Sequence, residues 1–112
     1  CVFGCGGNRD KGKRAEMAKV STEYADQIII TSDNPRDEDP MTIINDIEQG
    51  MGNNKVYKTE EDRKKAIELA IEQAKPGDII LIAGKGHEDY QEIKGVRHHY
   101  SDIETCKKLL AA

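Results

Sequence analysis

The chain has 112 residues, of which 37% are hydrophobic and 34% are charged, and its formal net charge is −4. This length and balance predict one compact globular domain with a well-charged surface. No apolar stretch approaches the roughly 20 residues that span a bilayer. An acidic chain with a pI near 5.4 also lacks the concentrated basic face that binds nucleic acid. We therefore expect neither a membrane nor a nucleic acid as partner.

The cysteines Cys1, Cys5 and Cys106 are odd in number and form no C-x-x-C pair. They predict neither a disulfide framework nor a zinc site, and we expect no metal ligands in this chain. A reduced, cytoplasmic setting fits this cysteine usage best. The sequence has no signal peptide and begins with Cys, which for an intracellular protein predicts a part of a longer chain.

The first half of the chain predicts two buried strands, each followed by a helix. Residues 1–4 indicate the end of a strand that runs into a glycine-rich turn, and a helix is expected over 13–25. Its apolar face is predicted from Ala15, Ala18, Val20 and Tyr24. The continuous β-branched run 27–31 is typical of a parallel strand that is covered on both faces.

The next helix is predicted to begin with Asp39 as its cap and Pro40 at its first position. Its buried stripe is expected to consist of Ile43, Ile44 and Ile47, and Gly50 or Gly52 is expected to end it. A short edge strand is expected over 55–58. The run 59–62 resembles a capping box for a third helix, which would bury Ile67, Ala70, Ile71 and Ala74.

The last third predicts a second fully buried strand over 78–83, which opens into the glycines of 84–86. A strand and turn are expected over 90–96, and Ser101 with Glu104 forms a capping box for a final helix that ends near 109–110. Alternating strands and helices predict an α/β class: one domain with a doubly wound, mostly parallel sheet of Rossmann-like topology. Ligands of such sheets bind at the carboxyl ends of the strands, so 6–10, 33–36 and 84–88 are the candidate loops.

The run 6–14, which contains the first candidate loop, carries four cations among glycines and ahead of a helix: Arg9, Lys11, Lys13 and Arg14. Such a loop can cradle a phosphate at the helix N-terminus. It has neither the P-loop spacing nor the G-x-G-x-x-G fingerprint. A strand-to-helix turn with solvated lysines explains the pattern equally well.

The second loop places a carboxylate, an amide and a guanidinium in the run Asp33-Asn34-Pro35-Arg36. Arg36 is suited to a bidentate bond with a carboxylate, and Asp33 and Asn34 could accept from an ammonium group. This composition could bind both charges of an amino acid. The alternative is a turn built from proline and Asx residues, which the spacing alone favours.

In the third loop, Gly84 and Gly86 would let a ligand approach the backbone, and Glu88 could pair with an ammonium group. A plain turn explains the pattern equally well. His87, His98 and His99 have no nucleophile or metal-ligand spacing around them, so no catalytic residue is predicted in this chain.

Taken together, three segments in this order resemble the C-terminal domain of the Mur ligases: FGCGGNRDKGKR at 3–14, TSDNPR at 31–36 and AGKGHE at 83–88. With HHYSD at 98–102, the resemblance is to members that add meso-diaminopimelate. It implies an ATP-dependent ligase of peptidoglycan synthesis. In such a ligase the D-glutamate carboxylate of UDP-N-acetylmuramoyl-L-alanyl-D-glutamate is phosphorylated, and the amine of the incoming amino acid attacks the acyl phosphate.

The resemblance further implies that residues 1–112 form a monomeric amino-acid-binding domain without ligase activity of its own. ATP and Mg²⁺ are expected to bind mainly on N-terminal and central domains outside this chain, which also bind the UDP-muramoyl dipeptide precursor. By resemblance, the meso-diaminopimelate site comprises Arg9, Asp33, Asn34, Pro35, Arg36, Gly84 and Glu88. Arg36 is expected to select diaminopimelate over lysine, because a buried guanidinium without a carboxylate partner disfavours lysine.

Two other classes of function stay open at this point. One is a stand-alone module that binds an amino acid or an anion without catalysis, for which the reading frame would start close to residue 1. The other is a dinucleotide-binding domain, which the absence of G-x-G-x-x-G weakens.

Overall fold

A computed structural model describes residues 1–52 and 57–111. The elements in chain order are β1 (Val2–Phe3), α1 (Gly12–Tyr24), β2 (Ile28–Ile30), α2 (Pro40–Glu48), β3 (Tyr57–Thr59), α3 (Arg63–Gln73), β4 (Tyr90–Ile93), β5 (Val96–His99) and α4 (Asp102–Ala111). The predicted α/β class is confirmed. In the described residues, no helix is long and apolar enough to cross a membrane.

The central sheet is parallel, with the strand order β1-β2-β3. On the other side of β1 runs the extended segment 81–83, where the Val2 N–H donates to the Leu81 carbonyl at 2.8 Å and the Ala83 N–H to the Val2 carbonyl at 2.9 Å. β1 therefore lies inside the sheet. The order β3, β2, β1 and then segment 81–83 is the Rossmann-like arrangement, which places a crevice at the carboxyl ends of β1 and this segment.

Helices cover both faces of the sheet because side chains along a strand alternate between the faces. On one face, α1 and α2 pack on a core of Phe3, Cys5, Ala18, Ile28, Ile30, Ile43, Ile44, Ile47 and Met51. On the other face, α3 packs through Ala66 on Val2 and Ile29, and α4 packs against α3. The sheet is doubly wound, as predicted.

The predicted cap residues begin two of the helices, whereas the third begins at the last residue of the predicted run 59–62. The Asp39 carboxylate accepts from the Met41 N–H at 2.9 Å ahead of Pro40, and Ser101 Oγ accepts from the Glu104 N–H at 3.2 Å. The third helix is capped by Asp62, which accepts from the Lys65 N–H at 3.1 Å. An oxygen that accepts from a first-turn N–H satisfies a donor that the helix itself leaves free, and this fixes the starting point of the helix.

The prediction of a fully buried strand over 78–83 was wrong. Only Ile82 forms an isolated parallel bridge, with Val2, and Ile79 is 93% and Leu81 59% exposed. The physical reason is position: within the described residues this segment forms the edge of the sheet beyond β1. Of the predicted strand 55–58, Tyr57 and Lys58 belong to β3, and 55–56 lie outside the described residues.

The apolar face predicted for α1 was also wrong in part. Ala18 is buried, but Val20 is 55% and Tyr24 83% exposed, and the buried stripe is Arg14, Ala18 and Ser21. This narrow stripe brings α1 close to the end of α2, where a Cβ on Gly50 would overlap the backbone of Ala15. The exposed apolar side chains of α1 border a groove of about 830 Å³ between the helix and residues 77–83.

The strand and turn expected over 90–96 form the antiparallel hairpin of β4 and β5. Lys94 and Gly95 have φ angles of 50° and 78°. Two consecutive positive φ angles are the signature of the two-residue turn that matches the twist of hairpin strands. The hairpin contacts the loop that follows β2 through Arg36, which forms an isolated parallel bridge with Ile93.

Candidate functional site

The three predicted loops meet at the carboxyl ends of β1, β2 and segment 81–83. The Gly7 N–H donates to the Asn34 carbonyl at 2.7 Å, and a Cβ on Gly84 would lie 3.6 Å from Asp33 Oδ2. Gly7 itself lies so close to the Pro35 carbonyl that a side chain there would overlap it. The chain thus brings the candidate loops together through backbone approaches that require glycine.

Arg36 is held in an unusual backbone conformation, with φ at 53°. Its N–H donates to the Glu92 carbonyl at 2.9 Å, and its carbonyl accepts from the Lys94 N–H at 2.6 Å. A positive φ at a residue other than glycine costs about 1–3 kcal/mol, and such strain concentrates at ligand sites. The hairpin therefore fixes the direction in which the Arg36 side chain leaves the loop.

The Arg36 guanidinium makes one hydrogen bond to the described residues, so most of its N–H donors stay available. Nη1 donates to the Gly7 carbonyl at 2.9 Å, whereas Nε lies 3.8 Å from Glu92 Oε2, too far for a hydrogen bond. The side chain is 17% exposed. Arg36 Nη1 and Cγ of the exposed Arg9 both approach Gly6, at 2.8 Å and 3.4 Å from the position of a Cβ there. Two arginine side chains therefore border Gly6, one through its guanidinium and one through its aliphatic stem.

A buried lysine organises the opposite part of the site. The Lys85 side chain is 0% exposed, and its Nζ lies 2.8 Å from Asp33 Oδ1 and 3.8 Å from Glu88 Oε1. Nζ also donates to Asn34 Oδ1 and to the Tyr90 carbonyl, both at 3.0 Å. The sequence did not single out Lys85. A lysine between two glycines gives no local sign that its partners lie some fifty residues earlier.

This lysine changes the expected role of Asn34. Asn34 Oδ1 accepts from Lys85 Nζ and from the Glu92 N–H at 2.9 Å, which occupies both of its lone pairs. Its Nδ2 is left as a donor, 3.4 Å from Glu88 Oε1. In this structure the ammonium group that Asn34 Oδ1 binds is that of Lys85, and the role of Asn34 toward a ligand stays a prediction. Glu88, 38% exposed, remains an accessible acceptor.

The first loop differs from its predicted phosphate-cradling form. Arg14 is 1% exposed and donates to Glu38 at 2.9 Å, to Asp46 at 2.8 Å and to the Gly6 carbonyl at 3.2 Å. Arg14 is thus bound internally and does not face an anion. The Asn8 N–H and the Arg14 guanidinium, with nearby Lys11, hold the pKa of Glu38 below its usual value despite partial burial. Lys11 and Lys13 stay exposed.

Arg63 ties the ends of the site strands to two helices. Its Nε and Nη2 bind the two oxygens of Asp102, each at 2.8 Å, and the guanidinium also donates to the carbonyls of Ser32 and Ala83, both at 3.1 Å. Ser32 precedes Asp33 and Ala83 precedes Gly84. The pair therefore anchors two site loops from behind, and no sequence pattern marked it.

Burial keeps two of the three thiols, Cys5 and Cys106, in their protonated form. Burial raises the pKa of Cys5 to about 11, so its thiol stays protonated at neutral pH. In residues 1–52 and 57–111, no three His, Cys, Asp or Glu side chains are grouped so that they could hold a metal ion. The groove beside α1 is lined by none of the seven predicted site residues, so the candidate site is the polar one described above.

The structure brings six of the predicted residues into two groups, with Arg9 and Arg36 at Gly6, and Asp33, Asn34, Gly84 and Glu88 around Lys85. Pro35 is buried against Gly7 and supports the turn. The roles of all seven in binding stay predictions. Lys85, Glu92 and Arg63 are the side chains that the sequence missed.

The model of the family "Mur ligase, glutamate ligase domain" matches residues 1–86. The chain is 54% identical over 110 residues to the UDP-N-acetylmuramoyl-L-alanyl-D-glutamate--2,6-diaminopimelate ligase of Chlorobaculum tepidum, covering 98% of this chain and 22% of that protein. The ligase of the same name from Aquifex aeolicus is 55% identical over 109 residues, covering 97% of this chain and 23% of that protein.

A solved structure of a UDP-N-acetylmuramoyl-L-alanyl-D-glutamate--2,6-diaminopimelate ligase superposes with a TM-score of 0.93 at 48% identity. It is matched over 98% of this chain and 23% of that one. The chain thus spans less than a quarter of the length of these relatives. By the family match and by this identity, the chain belongs to the Mur ligase family.

Proposed function

We propose that this chain is the C-terminal, amino-acid-binding domain of an ATP-dependent ligase. The ligase adds meso-diaminopimelate to UDP-N-acetylmuramoyl-L-alanyl-D-glutamate in cytoplasmic peptidoglycan synthesis. The similar proteins that are named as diaminopimelate ligases support the proposal, because they match nearly the whole chain with 54% and 55% sequence identity. In this proposal the domain binds diaminopimelate and presents its amine to the acyl phosphate of the precursor, which other domains hold.

One observation carries the proposal: arginine side chains and an accessible carboxylate lie together at the carboxyl ends of the strands. The Arg36 guanidinium and the Arg9 stem approach Gly6, and Glu88 Oε1 lies 3.4 Å from the Asn34 amide nitrogen. Diaminopimelate has a carboxylate and an ammonium group at each end of a short chain. Guanidinium groups bind carboxylates bidentately and a carboxylate side chain binds an ammonium group, so this arrangement fits such an amino acid.

Arg36 is the proposed selector against lysine. Lysine lacks the distal carboxylate, so its binding would leave the strained and mostly buried guanidinium of Arg36 with no carboxylate closer than Glu92, at 3.8 Å. A site that is built to bind a polar group discriminates strongly against an analogue that lacks the group, since the unpaired side chain has lost its solvation.

ATP and Mg²⁺ belong to the proposed reaction, but the described residues offer few groups that could bind them. Arg14 is committed to Glu38 and Asp46, and the Gly12 N–H at the start of α1 donates to Asp10 Oδ1 at 2.9 Å. The described residues also group no three side chains for a metal. The donor set does not fit a magnesium site, and the proposal assigns both groups mainly to other domains of a longer ligase.

It follows that the isolated chain is expected to have no ligase activity. Release of ADP by the chain, dependent on both diaminopimelate and the muramoyl dipeptide, would contradict this part of the proposal. A stand-alone binding module is the alternative, and the similarity of the whole chain to diaminopimelate ligases speaks against it. The reading frame upstream of Cys1 separates the two, since the ligase requires a P-loop domain there.

The site itself is tested by an NMR titration of the chain with meso-diaminopimelate, with L-lysine as the control ligand. We expect diaminopimelate to shift the signals of Arg36, Gly84 and Glu88, and we expect Arg36→Ala to abolish the response. A control is Lys19→Ala, which removes a positive charge from an exposed position of α1. An equal response to lysine would refute Arg36 as the selector, and no response to diaminopimelate would refute the site.

A further inference from the structure

Lys85 is the most completely buried charged group of the site, yet its partners are the groups that would receive a ligand. Its ammonium contacts Asp33, Asn34 and, at longer range, Glu88. The Tyr90 carbonyl completes the shell, and the Tyr90 ring lies 6.0 Å from Nζ. A charge is tolerated at 0% exposure only when several polar partners replace water around it, as they do here.

We propose that Lys85 is a positioning residue of the amino-acid site, which orients the Asn34 amide and balances the charge of the site so that it prefers diaminopimelate to lysine. The proposal rests on the proposed function of the same site. Lys85 is an internal part of the protein and is not expected to touch the ligand.

The orientation of Asn34 follows from hydrogen-bonding chemistry. An asparagine amide can be turned over, which exchanges its oxygen and its nitrogen. Lys85 Nζ and the Glu92 N–H are both donors that point at the same atom of Asn34. Only the oxygen can accept from both of them, so Nδ2 is directed to the side of Glu88 and the ligand. Without Lys85, the Glu92 N–H would be the only donor left at this oxygen, and the amide would be less firmly held in this orientation.

The charge balance follows from the groups around the site. Arg9, Arg36, Lys85 and Arg97 supply four positive charges, and the carboxylates Asp33, Glu88 and Glu92 supply three negative ones. Diaminopimelate, with two carboxylates and two ammonium groups, has no net charge, whereas lysine carries one positive charge. Removal of Lys85 takes one positive charge from the site, which makes the site more favourable to lysine and gives no such gain to diaminopimelate.

The test is the ratio of the two dissociation constants, measured by NMR titration of the unmodified chain and of Lys85→Met. Methionine keeps much of the side-chain length and removes the charge. We expect diaminopimelate to bind at least about tenfold more weakly and the preference over lysine to fall by at least about tenfold. The control Lys19→Met removes the same charge from an exposed position of α1 and is expected to change neither value.

If Lys85 merely supported the fold, its removal would weaken the binding of both ligands by the same factor. An unchanged preference in Lys85→Met would therefore overturn the proposal. If Lys85→Met does not fold, Lys85→Met with Asp33→Asn removes the unpaired carboxylate along with the lysine. This double variant is expected to bind diaminopimelate more weakly than the unmodified chain, and unmodified affinity would contradict the positioning role.

A measurement without ligand separates this proposal from the proposed function. In Lys85→Met we expect faster hydrogen exchange at the Glu92 amide and displaced side-chain amide signals of Asn34. The Lys94 amide, which bonds the Arg36 carbonyl in the same hairpin, serves as the internal reference and should keep its exchange rate. Unchanged Glu92 and Asn34 signals would refute the positioning role. A failure of the unmodified chain to bind diaminopimelate would instead refute the site and the selectivity with it.

Discussion

Two pairs of arginines border the carboxyl ends of the strands, and they differ in what their donors bind. Arg14 and Arg63 are each 1% exposed and donate to carboxylates and to backbone carbonyls. Arg36 donates one hydrogen bond to a backbone carbonyl, and Arg9 is exposed. The first pair holds the loops in place, and the second pair is the one that we propose for the ligand. Accessible donors therefore distinguish the proposed binding arginines from the structural ones, although all four occur in polar segments of the sequence.

The largest effect is expected when the Arg63 clamp is broken. Arg63→Met leaves the buried Asp102 carboxylate without its partner and releases the carbonyls of Ser32 and Ala83. We expect the free energy of unfolding to fall by about 3–5 kcal/mol, measured by urea denaturation at neutral pH. The neighbouring Lys64→Met, at an exposed position, is the control. A loss below about 1 kcal/mol would place Arg63 outside the structural pair.

A smaller decrease in the free energy of unfolding is expected for Arg14→Met. The substitution removes two charged hydrogen bonds, but Glu38 and Asp46 are 18% and 38% exposed and can turn to water. We expect a loss of about 2–3 kcal/mol in the same denaturation experiment. Lys13→Met, one residue earlier and exposed, should change stability by less than about 0.5 kcal/mol. Equal losses in the two variants would contradict the structural role of Arg14.

The Arg14 cluster also predicts a dependence of stability on pH. The pKa of Glu38 is depressed in the folded state, mainly by the Asn8 N–H and also by Arg14. Its contribution is therefore complete above the unfolded value near 4.5 and is lost as the pH falls through the lower folded value. Glu38→Gln should lower the free energy of unfolding by about 1 kcal/mol at neutral pH. It should also make the decrease of this free energy at acidic pH less steep, measured by denaturation between about pH 3 and 7. A decrease as steep as that of the unmodified chain would contradict this assignment.

The smallest effect on stability is expected at Arg36. Arg36→Gly loses the bond to the Gly7 carbonyl but relieves the positive φ, which glycine adopts without strain. These terms oppose each other, so the free energy of unfolding should stay within about 1 kcal/mol of the unmodified value. Binding of diaminopimelate should nevertheless be lost. A loss of stability like that of Arg63→Met would show that Arg36 belongs to the structural pair.

The sequence predicted the parts of this domain that depend on local chemistry. Asp39 with Pro40, and Ser101 with Glu104, mark helix starts because a cap bonds within its own first turn. The continuous run 28–30 correctly indicated a strand that is covered on both faces, because it lies in the middle of the sheet. The site loops were located by the same reasoning, since polar loops after parallel strands meet at one edge.

What the sequence missed depends on position in the sheet and on distant partners. Residues 78–83 have the composition of an inner strand but lie at the edge of the described sheet, where their side chains are exposed. Lys85 and Arg63 look like surface residues until their partners are known, and these partners lie in other segments. The internal partners of Asn34 were missed for the same reason, because the donors that occupy its oxygen come from Lys85 and from the hairpin.

The most direct test of the division between structural and binding arginines is a crystal structure of the chain with meso-diaminopimelate. The account predicts a ligand carboxylate on Arg36, with Arg9 beside it, and a ligand ammonium group at Glu88. Arg14, Arg63 and Lys85 should keep the partners that they have here. A ligand carboxylate bound to Arg14 or to the exposed lysines of the first loop, with Arg36 unengaged, would contradict it.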